Sequence, residues 1–136
     1  MNQLEQGYHT NMTSYRISWY IPERVLLLKL VGDYSVADAK AANEQITKIL
    51  DQRDHPLMLL IDASEMERPF NFQRIRALQT YMNHQNLKHI FAISNDKLVT
   101  LALMVIFNMG RAYLHLYNNH EEAERAIEVY AERLLD

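Results

Sequence analysis

Apolar and polar positions along this chain alternate in two periods, and the order in which the periods change predicts the fold. Residues 15–21 (YRISWYI) alternate with period two: Tyr15, Ile17, Trp19 and Ile21 fall on one face, Arg16, Ser18 and Tyr20 on the other. That is the pattern of a half-exposed strand. Pro22-Glu23-Arg24 reads as a tight turn, and 25–31 (VLLLKLV) is almost continuously apolar, as a strand covered on both faces must be. The two segments read as an antiparallel hairpin. Ser35 is a good N-cap for a helix over 36–51, with Asp38 in its first turn and Ala39, Ala42, Ile46, Ile49 and Leu50 on one stripe.

Repeated strand–helix units follow. Leu57–Ile61 reads as a second central strand ending at Asp62, and Asn71 caps a helix that carries Phe72, Ile75, Leu78 and Met82 inward and Arg74, Gln79 and Asn83 outward. His89–Ile93 reads as a third central strand, and Asp96–Met109 as a helix stopped by Gly110. In 111–117, Ala112, Leu114 and Leu116 alternate with Tyr113, His115 and Tyr117, which suits an edge strand. Asn119 with Glu122 three residues later forms a capping-box pattern before the stripe Ala123, Ala126, Ile127, Tyr130 and Leu134. The expected order is β-β-α-β-α-β-α-β-α: an α/β fold with a mostly parallel five-stranded sheet and four helices.

Length and composition fit one domain. The 136 residues are 49% apolar and 23% charged, ordinary values for a globular chain. Residues 1–14 read as a loose polar arm and 15–136 as the folded domain. The N-terminus has neither the basic region nor the apolar core of a signal peptide, so the Asn11-Met12-Thr13 sequon carries no weight. The longest apolar run, Leu101–Phe107, is far too short to span a membrane. Without cysteine there is no disulfide framework, thiolate metal site or cysteine nucleophile, and a reducing cytoplasm is the expected compartment.

The net charge of −3 is unevenly spread. Between Arg68 and Arg111 six bases (Arg68, Arg74, Arg76, Lys88, Lys97, Arg111) face one acid, Asp96. This reads either as ordinary solvated charge or as a mildly basic surface for an acidic partner. The bases are too sparse for nucleic-acid binding.

The segment 57–73 concentrates the candidate chemistry. It places Asp62 at a strand's carboxyl end, where open α/β sheets bind ligands and partners. Ser64, Glu65 and Glu67 follow it, then Pro69, Phe70 and Phe72. The carboxylates could hold a cation or act as a base, but Asp62 serves more simply as an acceptor for turn amides. Phe70 and Phe72 either cover a pocket or anchor the next helix. None of the six histidines shares a helical i, i+4 metal spacing, though His84 and His89 flank a turn where they could meet. A Ser-His-Asp set exists only on paper, since no nucleophile elbow is present. No metal, cofactor or catalytic residue is expected.

The helix 98–109 (LVTLALMVIFNM) is apolar nearly all round: Leu98, Leu101, Ala102, Val105 and Met109 on one face, with Val99, Leu103, Met104, Ile106 and Phe107 continuing around it. It reads as buried core, as a homodimer interface or as the wall of an apolar ligand pocket.

The element order, the run Leu59-Leu60-Ile61-Asp62-Ala63-Ser64 and the run Tyr117-Asn118-Asn119-His120-Glu121-Glu122-Ala123 together resemble the STAS domains, the anti-sigma-factor antagonists and transporter domains. With the Asp96-Lys97 pair, the likeness leans to the STAS-like group related to lipid-binding CRAL-TRIO domains. The resemblance spans about Tyr15 to Leu135. It implies a STAS-like α/β fold and a non-enzymatic regulatory module that binds a protein partner. Its alternative is carriage of a small apolar ligand such as a fatty acid. The implied surface is the edge Asp62, Ser64, Phe70, Asn71, Phe72, Arg74 and Lys97, with the helix residues Leu98, Leu101, Met104, Val105 and Phe107. One departure stands out: where phosphorylated family members carry Asp-Ser-Ser-Gly, this chain reads Phe70-Asn71-Phe72-Gln73. Asn71 caps a helix as well as serine does but offers a kinase no hydroxyl.

Overall fold

The structure is a computed structural model and describes residues 14–67, 72–107 and 110–135. Residues 1–13 of the expected N-terminal arm, Phe70, Asn71 and Met109 lie outside these residues, as does the side chain of Phe72. Strand β1 (Tyr15–Ile21) pairs antiparallel with β2 (Val25–Gly32), and β3 (Leu57–Met66), β4 (Leu87–Ile93) and β5 (Tyr113–Tyr117) follow in parallel. The sheet order is β1-β2-β3-β4-β5, so it is mixed and mostly parallel, as expected. The helices are α1 (Val36–Asp51), α2 (Phe72–Leu78), α3 (Lys97–Phe107) and α4 (His120–Leu135), with a 3-10 turn over Thr80–Asn83.

Both faces of the central strands are buried, which is why their sequences show no alternation. Leu57, Leu59 and Ile61 point to the front face, where α1, α2 and α3 pack. Met58, Leu60, Phe91 and Ile93 point to the back, which α4 covers with Ala123, Ile127 and Ala131. Helix α1 begins as the cap predicts: the Asp38 amide donates to Ser35 Oγ at 3.0 Å. The Asp38 carboxylate in turn accepts from the amide and hydroxyl of Ser14. The β1–β2 turn puts Glu23 at φ 61°, and Arg53 grips its carboxylate through two nitrogens at 3.1 and 2.8 Å.

Three expectations need correction, and one of the open readings of α3 is narrowed. Ile21 does not share the face of Tyr15, Ile17 and Trp19, because a register shift between Trp19 and Ile21 turns it to the back cluster. Strand β3 does not stop at Ile61 but continues to Met66. The helix expected over 71–83 breaks at Gln79, whose side chain is buried, not solvated. Gln79 donates to the Tyr34 hydroxyl at 3.1 Å and accepts from the Tyr81 hydroxyl, while Asn43 takes the Tyr81 amide at 2.9 Å. Those side-chain bonds replace the helical ladder. Finally, α3 is not buried all round: Val99, Ala102, Leu103, Ile106 and Phe107 face the core, while Leu98, Leu101, Met104 and Val105 face outward.

Candidate functional site

The carboxyl ends of β2 to β5 lie on one edge of the sheet, and Asp62 sits there inside a bulge. Lys29 is opposite Asp62 but Val31 is opposite Glu65, so β3 carries one extra residue between these pairs. The Asp62 carboxylate stabilises the irregularity: one oxygen accepts from the Ser64 amide at 3.0 Å and the Ser64 hydroxyl at 2.6 Å. The other oxygen accepts from His120 Nε2 at 2.9 Å. His120 opens α4, so the contact ties the end of β3 to the start of the helix that covers the back face.

Asp62 is only 8% exposed. Burial pushes its carboxyl up, but the bonds from the Ser64 hydroxyl, His120 and the Ser64 amide outweigh it, so it titrates below the usual carboxylate range. The sign follows. The contribution is complete above the ordinary carboxylate value and is lost as pH falls through the lowered one. Replacing Asp62 by Ala leaves the Ser64 hydroxyl and amide without their acceptor. This is expected to cost about 1–3 kcal/mol at neutral pH. The difference from the parent chain should shrink below about pH 4, as the parent's own carboxylate protonates. Urea unfolding at the two pH values checks this, and an equal difference at both would contradict it.

Asp62, Ser64 and His120 are the three residue types of a hydrolytic relay, but their order differs from one. The carboxylate is central and itself accepts the hydrogen bond of the serine hydroxyl, and no hydrogen bond joins Ser64 to His120. What the set does chemically is fix a bulge and a helix start. Nor do the loop acids cluster: Glu65 pairs with Lys29 at 2.9 Å and Glu67 is exposed, its amide donating to the Gly32 carbonyl at 2.7 Å. Among the described residues no three metal-ligating side chains converge. His84 does not meet His89. It bonds Asp51 at 2.7 Å, while His89 bonds His115.

Sequence reasoning missed His120 as the partner of Asp62, because β4 separates their strands and only the return of α4 across the back face joins them. It also missed the front-face cavity as it stands. A void of about 20 Å3 is lined by Leu30, Tyr34, Ile75, Gln79, Leu103 and Phe107, among others. It admits a water at most. Burial raises the Tyr34 and Tyr81 phenols well above the usual tyrosine range, so both keep their protons within the core, Tyr34 accepting from Gln79 and Tyr81 donating to it.

Of the other candidate residues, Arg74, Lys97, Leu98, Leu101, Met104 and Val105 form an exposed face on α2 and α3. Asp96 caps α3, accepting from the amides of Leu98 and Val99 at 2.8 and 3.2 Å. Leu98 (53% exposed), Leu101 (55%), Met104 (47%) and Val105 (38%) then form an outward stripe. Such a run is costly to leave in water, at roughly 25 cal/mol per Å2 of apolar surface. Phe107, grouped with them in sequence, is buried against Tyr81 instead. Lys97, Arg74 and Arg111 are exposed beside this layer and Arg76 is half-buried. None of the four forms an ion pair among the described residues. No helix among the described residues is long and apolar enough to cross a membrane.

No protein-family model matches the sequence, and no curated protein matches it. A solved structure does resemble it: an uncharacterized protein of the DUF3478 family from Shewanella loihica PV-4, reported with a SpoIIAA-like fold. The two share 17% identity over 83% of this chain and 91% of that one, with a TM-score of 0.61. At that identity the likeness is one of fold. The chain therefore has a SpoIIAA-like fold, the architecture of the anti-sigma-factor antagonists that its element order and two short motifs resemble.

Proposed function

We propose that this chain is a non-enzymatic, cytoplasmic regulatory module that binds a protein partner through the outward face of α3. The observation that carries this reading is the stripe Leu98, Leu101, Met104 and Val105, four large apolar side chains exposed along one side of one helix. The charge beside it defines the partner. Helix α3 contains one base and no acid, Arg74, Arg76 and Arg111 add bases, and the acid at its start, Asp96, is engaged with the Leu98 and Val99 amides. Two copies docked α3 to α3 would set like charges together, so the complement is an apolar ridge edged with carboxylates on another protein. With Asn71 at the position matching the family's phosphoserine, control by a phosphate at that residue is not part of this reading.

Carriage of a small apolar ligand is the second reading, favoured by the apolar void behind α2 and α3. The void is far below the roughly 300 Å3 of a ligand site, so loading would require α3 to move outward.

Photo-crosslinking separates the two. A photoreactive residue in place of Leu101 is expected to trap protein in extracts of the source cells, and one in place of Glu128 on α4 is not. The adduct at 101 should vanish on competition with the unlabelled chain and persist against a Met104→Glu competitor. Equal labelling at both positions, or none at 101, would sink the interaction reading.

A further inference from the structure

On the back face, away from α3, two histidines meet. Phe91 lies opposite His115 and His89 opposite Tyr113, so the parallel register makes His89 and His115 diagonal neighbours. His89 Nδ1 and His115 Nε2 are 3.0 Å apart and the ring centres 5.2 Å. Those two distances leave about one ring radius on each side of the contact, so the imidazoles meet edge to edge. One ring donates an N–H and the other accepts with its lone pair. The bond survives while at least one ring is neutral. With both rings protonated, N–H faces N–H and the bond cannot form.

The surroundings make this pair consequential. The His89 ring lies 4.8 Å from that of Tyr130 on α4, and the His115 ring 5.2 Å from it. His115 also stacks on Phe91 at 4.7 Å. The facing polar groups are Lys88 on β4, Tyr113 and Tyr117 on β5, and Tyr130 on α4, whose ring carries the Arg133 guanidinium. Among the described residues no carboxylate pairs with either imidazole. Glu124 and Glu128 act on Tyr20, and Glu122 on Tyr117. Strand β5 is an edge strand without one fully buried residue; Leu114 and Leu116 pack on the front core and Tyr117 on the back, and the histidine pair adds a tie beside them. The head-on nitrogens leave no place for a metal ion on both lone pairs.

We propose that the His89–His115 pair is an acid-sensitive latch: neutral, it holds β5 against β4 and the second half of α4, and doubly protonated, it releases them. Burial lowers the proton affinity of both rings, and His115 and Lys88 lower that of His89 further. The unfolded chain takes up these protons near the ordinary imidazole value of about 6.5. The latch is therefore whole above that value and fails as pH falls below it.

Amide hydrogen exchange of the whole chain tests this, with rates corrected for intrinsic chemistry. Between about pH 7.5 and pH 5, protection of Tyr113–Tyr117 and of residues 128–133 should fall at least about tenfold, while β2 and α1 keep theirs. In the His89→Gln/His115→Gln variant the same step should change protection less than about twofold. Imidazole NMR titration of the unmodified chain needs no variant: both rings should titrate below about 6.5. Both rings titrating at or above that value, unchanged protection in acid, or an equal loss in the double variant would overturn the latch.

Discussion

Replacing Phe91 by Ala is expected to destabilise the chain by about 3–5 kcal/mol, the largest single-site effect the fold predicts. Phe91 is fully buried at the centre of the back-face cluster, between Met58, Leu60 and Ile93 on the sheet and Ala123, Ile127 and Ala131 on α4. It also meets the Tyr130 ring edge-on at 5.5 Å and lies nearly parallel to His115. Its removal opens a cavity beneath α4, which covers that face, and it also withdraws the platform on which the histidine pair rests. Total stabilities of domains run to about 5–15 kcal/mol, so the variant should be marginal or unfolded at body temperature. Phe91→Leu should cost far less, under about 1.5 kcal/mol, since most of the volume remains. Urea unfolding followed by circular dichroism measures both. A loss under about 1 kcal/mol for the Ala variant would mean that α4 is not packed on the sheet as described.

How far this fold could be read from sequence depends on where contrast between apolar and polar positions survives. Helix α1 was readable to the residue because Ser35 and Asp38 mark its start and polar positions separate its stripe. The start of α4 was equally plain: the Glu122 amide donates to Asn119 Oδ1 at 2.9 Å and Asn119 donates back to the Glu122 carboxylate at 3.2 Å. Helix α3 had no such contrast. With nearly every position apolar, its period could not say which side met the core, and only the packed layer distinguishes Leu103 from Met104. Gln79 looked like a surface residue because its partner, Tyr34, stands 45 positions earlier in the chain. Asp62 was legible as an acceptor for a nearby amide, and it takes that of Ser64, but the bulge this bond holds was not, because a one-residue register shift leaves no mark in hydropathy. His89 and His115 lie 26 positions apart and meet only through the β4–β5 register.

The second large effect belongs to the α3 face. Leu101→Glu combined with Met104→Glu should lower partner affinity by at least about 2 kcal/mol, some thirtyfold, because both side chains stand in the middle of the apolar stripe. The same pair should leave folding stability within about 0.5 kcal/mol, since neither side chain is part of the core. Exchanging Lys97 and Arg111 for Glu should act differently. It should slow association and flatten its salt dependence, as expected for charge beside an apolar contact. Crosslinking yield at position 105, measured over a range of salt, distinguishes the two classes. Glutamates that unfold the chain, or leave the yield unchanged, would contradict the placement of the binding surface on α3.

Native mass spectrometry of the purified chain tests the central claim most directly, because it weighs copies and bound molecules together. A partner-binding surface on α3, with bases beside it and a water-sized void behind it, predicts the mass of one chain and nothing more. A reproducible extra mass that extracts into organic solvent would contradict it in favour of a ligand carrier. A dimer that the two glutamates dissolve would contradict it by giving the α3 face to a second copy.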